Sequence, residues 1–113
     1  MPKCINKGCN NLRATYNDGS PRYKSCFRCH KLNFKYGLTG PEADSMVLAQ
    51  ENKCAICIEP LRPFEAGGAC IDHNHKTGKV RGILCHNCNS GIGKLREDRA
   101  IFMNALIYLE FHD

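Results

Sequence analysis

The sequence predicts a small α+β protein stabilised by zinc, and three observations predict it. Eight of the nine cysteines fall into two quartets of close pairs, a strand-turn-strand pattern lies between the halves of the second quartet, and helical spacing flanks it on both sides. A chain of 113 residues buries too little apolar surface to fold on a core alone, so something must staple it. Disulfides would strand one of nine thiols. The opening MPKCINKGCNNLR holds no apolar run of the kind that directs secretion, and no stretch approaches the roughly 18 apolar residues of a membrane span. The expectation is therefore a reducing cytoplasm and no membrane association, where paired thiolates bind zinc tetrahedrally.

Residues 1–38 form the first module. Cys4-x4-Cys9 is separated from Cys26-x2-Cys29 by 16 residues that include the turn string Asn17 to Pro21. Four thiolates on two short loops close a structural zinc site whose binding energy replaces a missing core. The net charge of +5 is uneven: residues 1–40 carry eight Lys or Arg against Asp18 alone, a balance of +7, whereas residues 41–70 carry −3 and the remainder +1. A short segment so basic attracts polyanions, nucleic acid first among them. Cys26-Phe27-Arg28-Cys29-His30 also matches the pattern of covalent haem attachment. That chemistry needs export and a haem pocket, and the second pair upstream favours zinc.

Gly37 and Gly40-Pro41 mark a boundary, after which Ala43, Met46, Val47 and Gln50 space out one buried stripe of a helix that Thr39 is placed to cap. Cys54-x2-Cys57 then opens the second quartet, and Cys85-x2-Cys88 closes it 27 residues later. The interval reads as a loop from Pro60 to Gly68, a strand from Ala69 to His73, a turn at Lys76 to Lys79 and a strand from Val80 to Leu84. Asn89 to Leu95 reads as a short helix despite two glycines, and a charged turn, REDR, follows. Ile101 to Phe111 is apolar on nearly every side, which predicts a helix wedged between two surfaces: the hairpin and front module, or a second copy of the chain.

The chemistry concentrates at Asp72-His73-Asn74-His75 and Asn89. A cation that works on phosphates prefers hard oxygen ligands with open positions for water, and Asp72 and Asn89 each offer one oxygen. An imidazole exchanges protons near neutral pH, which makes His73 or His75 a candidate general base. Along a regular strand Asp72 and Asn74 face one way and His73 and His75 the other, so Asp72 and His73 serve one phosphate only if the strand ends near residue 73. Plainer roles exist for each: a turn cap for Asp72, an N-cap for Asn89, a fifth zinc ligand for a histidine. None accounts for so many polar groups around one hairpin.

CAIC, then IDHNHKTGKVRGILCHNCNSGIGKL, then a terminal ALIYLE resemble the recombination endonuclease VII family of phages, within the His-Me finger (HNH-like) nucleases. The resemblance covers about residues 39–110. It implies a ββα-metal core within residues 39–113 with structural zinc on Cys54, Cys57, Cys85 and Cys88; the second zinc, on Cys4, Cys9, Cys26 and Cys29 of the basic module 1–38, rests on their spacing alone. The resemblance further implies Mg²⁺ (or Mn²⁺) on Asp72 and Asn89, His73 as general base, and His75 orienting the scissile phosphate or assisting the leaving group. Two departures follow. Family members often read D-H-D-H where this chain has Asn74, and the family's resolvase carries a carboxy-terminal extension for junction binding and dimerisation, whereas this chain stops at Asp113. Nicking is thus expected as readily as structure-selective cleavage.

The front module has no counterpart in that resolvase. Its Lys3, Lys7, Arg13, Arg22, Lys24, Arg28, Lys31 and Lys35, with Tyr16, Tyr23, Phe27 and Tyr36, suit a clamp on a DNA backbone, or else the aromatics are its small core. Lys76, Lys79, Arg81 and Lys94 either touch flanking phosphates or coat a solvated hairpin. Cys70, the odd cysteine, is expected as a small core residue. The leading expectation is a metal-dependent DNA endonuclease working in the cytoplasm, that of the host cell if it is phage-encoded, with a homodimer allowed. The rival is a non-catalytic double zinc finger that regulates by binding nucleic acid.

Overall fold

The computed structural model describes residues 3–12, 15 and 26–112, the side chains of Phe27 and His30 excepted. The expected turn at Asn17 to Pro21, the clamp residues Arg13, Tyr16, Arg22, Tyr23 and Lys24, and the Phe27 side chain lie outside the described residues. Six elements follow in order: α1 (Phe27–Tyr36), α2 (Gly40–Ala49), β1 (Cys70–His73), β2 (Val80–Leu84), α3 (His86–Lys94) and α4 (Arg99–Phe111). This is the small α+β architecture the sequence predicts. β1 and β2 form an antiparallel hairpin that α3 packs across, giving a ββα unit, with α2 behind β2 and α1 against α2.

α2 starts where expected, on a reciprocal cap. Thr39 Oγ1 accepts from the Glu42 N–H at 3.3 Å and Glu42 Oε1 accepts from the Thr39 N–H at 3.1 Å. Its stripe buries Ala43 completely against Ala69, Ile71 and Ile83, and Leu32, Tyr36, Leu38, Met46, Val47, Leu61 and Val80 close around that core. Leu32 and Tyr36 come from α1, which composition alone did not announce. Its helix becomes legible at its ends: the Cys26 sulfur caps it by accepting from the Cys29 N–H at 3.4 Å, and Gly37 stops it with a left-handed φ of 69°.

The same device corrects the start of α3. The helix begins at His86 rather than Asn89 because the Cys85 sulfur accepts from the Cys88 N–H at 3.4 Å. Asn89 therefore lies within the helix and is not its cap. Each Cys-x-x-Cys pair that ends a quartet thus opens a helix with its first sulfur.

The expectation for α4 that the hairpin and front module would enclose it is overturned. No residue of α4 is buried, and Leu106, Ile107, Tyr108, Leu109 and Phe111 are exposed. The turn before it explains the departure: Arg96 and Glu97 both take left-handed φ (60° and 52°), and Asp98 restarts a helix by accepting from the Ala100 N–H at 2.8 Å. That reversal aims α4 away from the surfaces that would have covered it. No described helix is long and apolar enough to cross a membrane.

Candidate active site

The site is assembled from the second cysteine quartet outward. Cys54, Cys57, Cys85 and Cys88 bring their sulfurs within 4.8 Å of one another, as do Cys4, Cys9, Cys26 and Cys29. A tetrahedron with metal–sulfur bonds of about 2.3 Å has sulfur–sulfur edges of about 3.8 Å. The Cys57–Cys85, Cys9–Cys26 and Cys9–Cys29 separations are each 3.8 Å, far beyond a disulfide, and all nine cysteines are free thiols. Both quartets therefore suit structural zinc.

Backbone donors prepare these sulfurs for metal. Burial pushes the Cys54 thiol up, but N–H groups including those of Cys85 (3.3 Å) and Ile56 (3.5 Å) outweigh it and bring its pKa down to about 6. Cys4 is likewise raised by burial and then lowered more strongly, by hydrogen bonds from Asn6, Cys26 and neighbouring thiols, to about 6. Burial and adjacent thiols hold Cys29 and Cys88 up at about 12 in the absence of metal. Cys29 also accepts from the Gly40 N–H, the first residue of α2, at 3.2 Å, so the front quartet is fastened to the helix that carries the core.

The hairpin is held to this frame through Gln50 and Ala55. The Gln50 carboxamide pairs with both backbone groups of Ile83, and the Ala55 N–H donates to the Ile83 carbonyl at 3.2 Å. At the other end of β1 the ladder slips. Asp72 pairs with Gly82 but His73 pairs with Val80, which leaves Arg81 as the extra residue of a bulge. β1 ends at His73, as a shared role for Asp72 and His73 requires. Asn74 then turns inward on its own loop, its Oδ1 accepting from the Lys76 and Thr77 N–H groups at 2.8 and 3.1 Å.

Asp72 is buried, and both of its oxygens are held by the bulge residue. Arg81 Nε donates to Oδ2 at 2.7 Å and Nη2 to Oδ1 at 2.9 Å. The same Nη2 donates to Glu97 Oε1 at 2.8 Å, and that oxygen lies 3.6 Å from His75 Nε2. His75 and His73 have ring centroids 4.7 Å apart, and the rings of His73 and Tyr36 meet edge-on at 5.4 Å. Asn89, on α3, meets Cys70, which shares a strand face with Asp72. Asp72 and His73 thus lie toward the turn of the hairpin while Asn89 meets β1 at Cys70, and no hydrogen bond joins any two of the three among the described residues.

Two basic grooves are lined by ring neighbours of His73. One, of about 450 Å³, runs between α1 and β1, with Arg28, Lys31 and Lys35 on its rim and Asn89 and Cys70 in its lining. The other, of about 740 Å³, lies beyond the hairpin turn and is lined by His75, Lys76, Arg96 and Arg99 among others. Tyr36 belongs to the first and His75 to the second, and the His73 ring contacts both.

Residues 29–111 match the family model for recombination endonuclease VII. The chain belongs to the recombination endonuclease VII family. Gene 59 proteins of Mycobacterium phages L5 and D29 are 38% and 37% identical to it over 75 residues, 66% of this chain. That stretch is 44% of either relative, so the chain spans less than half the length of the curated proteins it matches. Among solved structures, the beta-beta-alpha-Me type II restriction endonuclease Hpy99I superposes with a TM-score of 0.50 at 24% identity, over 89% of this chain and 57% of that one. This family member therefore has the ββα-metal fold, together with two quartets suited to zinc.

Three features escaped sequence reasoning. Arg81, expected at a phosphate or in solvent, is committed to Asp72. Glu97, read as part of a charged turn, reaches both Arg81 and His75. Tyr36, left between clamp and core, does pack on the core and also touches His73. Cys70 is half-buried, its thiol 3.4 Å from the Gly68 carbonyl and apart from both quartets, and burial raises its pKa. Local sequence carried no signal for these pairings beyond a density of charge.

The donors fit a hard divalent cation. An ionised carboxylate has about four acceptor positions, so Asp72 with two occupied by Arg81 keeps others free, and Asn89 adds a carboxamide oxygen.

Proposed function

We propose that this chain is a Mg²⁺- or Mn²⁺-dependent DNA endonuclease that hydrolyses phosphodiester bonds, with His73 as general base and the cation on Asp72 and Asn89. The observation that carries the reading is the contact of His73, one residue from a buried aspartate, with Tyr36, which lines one basic groove, and with His75, which lines the other. A DNA backbone laid along both grooves brings a phosphate to the imidazole. Cations on α1 and around the turn neutralise the phosphates on either side.

His73 takes a proton from the attacking water, and the rings of Tyr36 and His75 keep its imidazole from swinging away. When bound, the cation supplies Lewis-acid stabilisation of charge developing on the phosphate and the departing 3′ oxygen. Asp72 and Asn89 would hold it, and His75 orients the phosphate or assists the leaving group. The product carries a 5′ phosphate. The zinc quartets take no part in the chemistry: they fix the hairpin to α3 and α1 to the core. Phage relatives support action in a host-cell cytoplasm, and the exposed apolar length of α4 supports a homodimer, which sedimentation would detect.

Nicking of supercoiled plasmid with added Mg²⁺ tests the reading. His73→Ala should keep zinc content and folding and lose most cleavage. Equal nicking by variant and parent would overturn the assignment of the base. Binding without product across several metals and DNA structures would favour the non-catalytic zinc module instead.

A further inference from the structure

Resting on that reading, we propose that Arg81 and Glu97 are positioning residues of the divalent-cation site, acting through Asp72. Asp72 keeps about 10% of its side chain exposed, and its two oxygens are fixed by the paired donors of one guanidinium. A planar fork sets the plane of the carboxylate and so fixes the directions of its remaining lone pairs. Alone, however, Arg81 would cancel the negative charge that attracts a dication.

Glu97 answers that cancellation. It shares Nη2 of Arg81 at 2.8 Å, so Asp72, Arg81 and Glu97 together carry a net charge of −1, whereas Asp72 and Arg81 together carry none. Its oxygen also lies 3.6 Å from His75, which ties the same carboxylate to the histidine pair on the other side of the site. The bulge in β2 and two consecutive left-handed residues, Arg96 and Glu97, are the backbone departures that bring these groups together. Outer partners of this kind typically change metal affinity by about 10- to 100-fold.

The test is Mn²⁺ binding to the zinc-loaded full chain without DNA, read from the electron paramagnetic resonance signal of free Mn²⁺. Zinc content and melting temperature accompany each titration. Glu97→Gln keeps an acceptor for Arg81 and removes one charge, so its Mn²⁺ dissociation constant should rise about ten-fold. Arg81→Lys keeps the charge and loses the fork, and a rise of similar size is expected. Dissociation constants within two-fold of the parent in both variants would overturn the proposal. Asp72→Asn separates the two levels of inference: if it binds Mn²⁺ as the parent does, the assignment of Asp72 as ligand fails. If it loses Mn²⁺ while the other two variants do not, only the positioning role fails.

Discussion

Replacing Gln50 with leucine should cost this protein about 2–4 kcal/mol, a large part of the roughly 5–15 kcal/mol that holds a domain together. Gln50 does the work of a third strand. Its Oε1 accepts from the Ile83 N–H and its Nε2 donates to the carbonyls of Ile83 and Lys53, each at 2.9 Å. Ile83 is fully buried, so water cannot take over. Leucine has similar volume and no polar atoms. It leaves the Ile83 N–H without a partner, at about 1–3 kcal/mol, whereas the Ile83 carbonyl keeps Ala55 and loses about 1 kcal/mol. Urea unfolding of the zinc-loaded protein, followed by circular dichroism, reads the change. With a slope of about 1–3 kcal/mol per molar urea, the midpoint should fall by roughly 1–2 M. Hydrogen exchange gives a local readout, because the Ile83 amide should lose protection before the rest of β2. A stability within about 0.5 kcal/mol of the parent, with Ile83 still protected, would refute the reasoning.

Glycine substitutions separate space from backbone freedom. A Cβ on Gly68 collides with the Pro63 carbonyl oxygen, so Gly68→Ala should destabilise by about 2 kcal/mol or more, whereas Gly91 in α3 faces open space and Gly91→Ala should stabilise by about 0.5–1 kcal/mol in thermal melts. Asn74→Asp keeps the acceptor for the Lys76 and Thr77 N–H groups and should leave both folding and cleavage rate within about two-fold, while Asn74→Ala should lose about 1 kcal/mol. Zinc retention should depend on pH in a definite direction. The Cys4 and Cys54 pKa values are lowered from 9.0 to about 6, so their contribution is complete above pH 9 and lost as pH falls through about 6. A chromophoric chelator should capture zinc increasingly over that window, and equal retention at pH 8 and pH 5 would contradict it.

Much of this protein was legible from local pattern. Cysteine spacing specified two quartets, Thr39 before Gly40-Pro41 specified where α2 begins, and Lys-Thr-Gly-Lys between two apolar runs specified the hairpin. The end of β1 at His73 followed from the period of a strand and the turn chemistry of the residues after it. Such features depend on groups a few residues apart, which covalent geometry keeps close in any conformation.

What the tertiary structure decided depends on groups that the chain alone holds far apart. Arg81 meets Glu97 only because β2 bulges and the chain reverses after α3, and Tyr36 meets His73 only because sulfur caps fix α1 beside the core. Gln50 occupies the open edge of β2, where no third strand pairs among the described residues. The direction of α4 likewise follows from two left-handed residues that its apolar composition does not reveal. Sequence spacing determined which elements and ligands form. Packing determined which side chain neutralises which, because a contact between distant residues exists only once the intervening backbone has been folded into place.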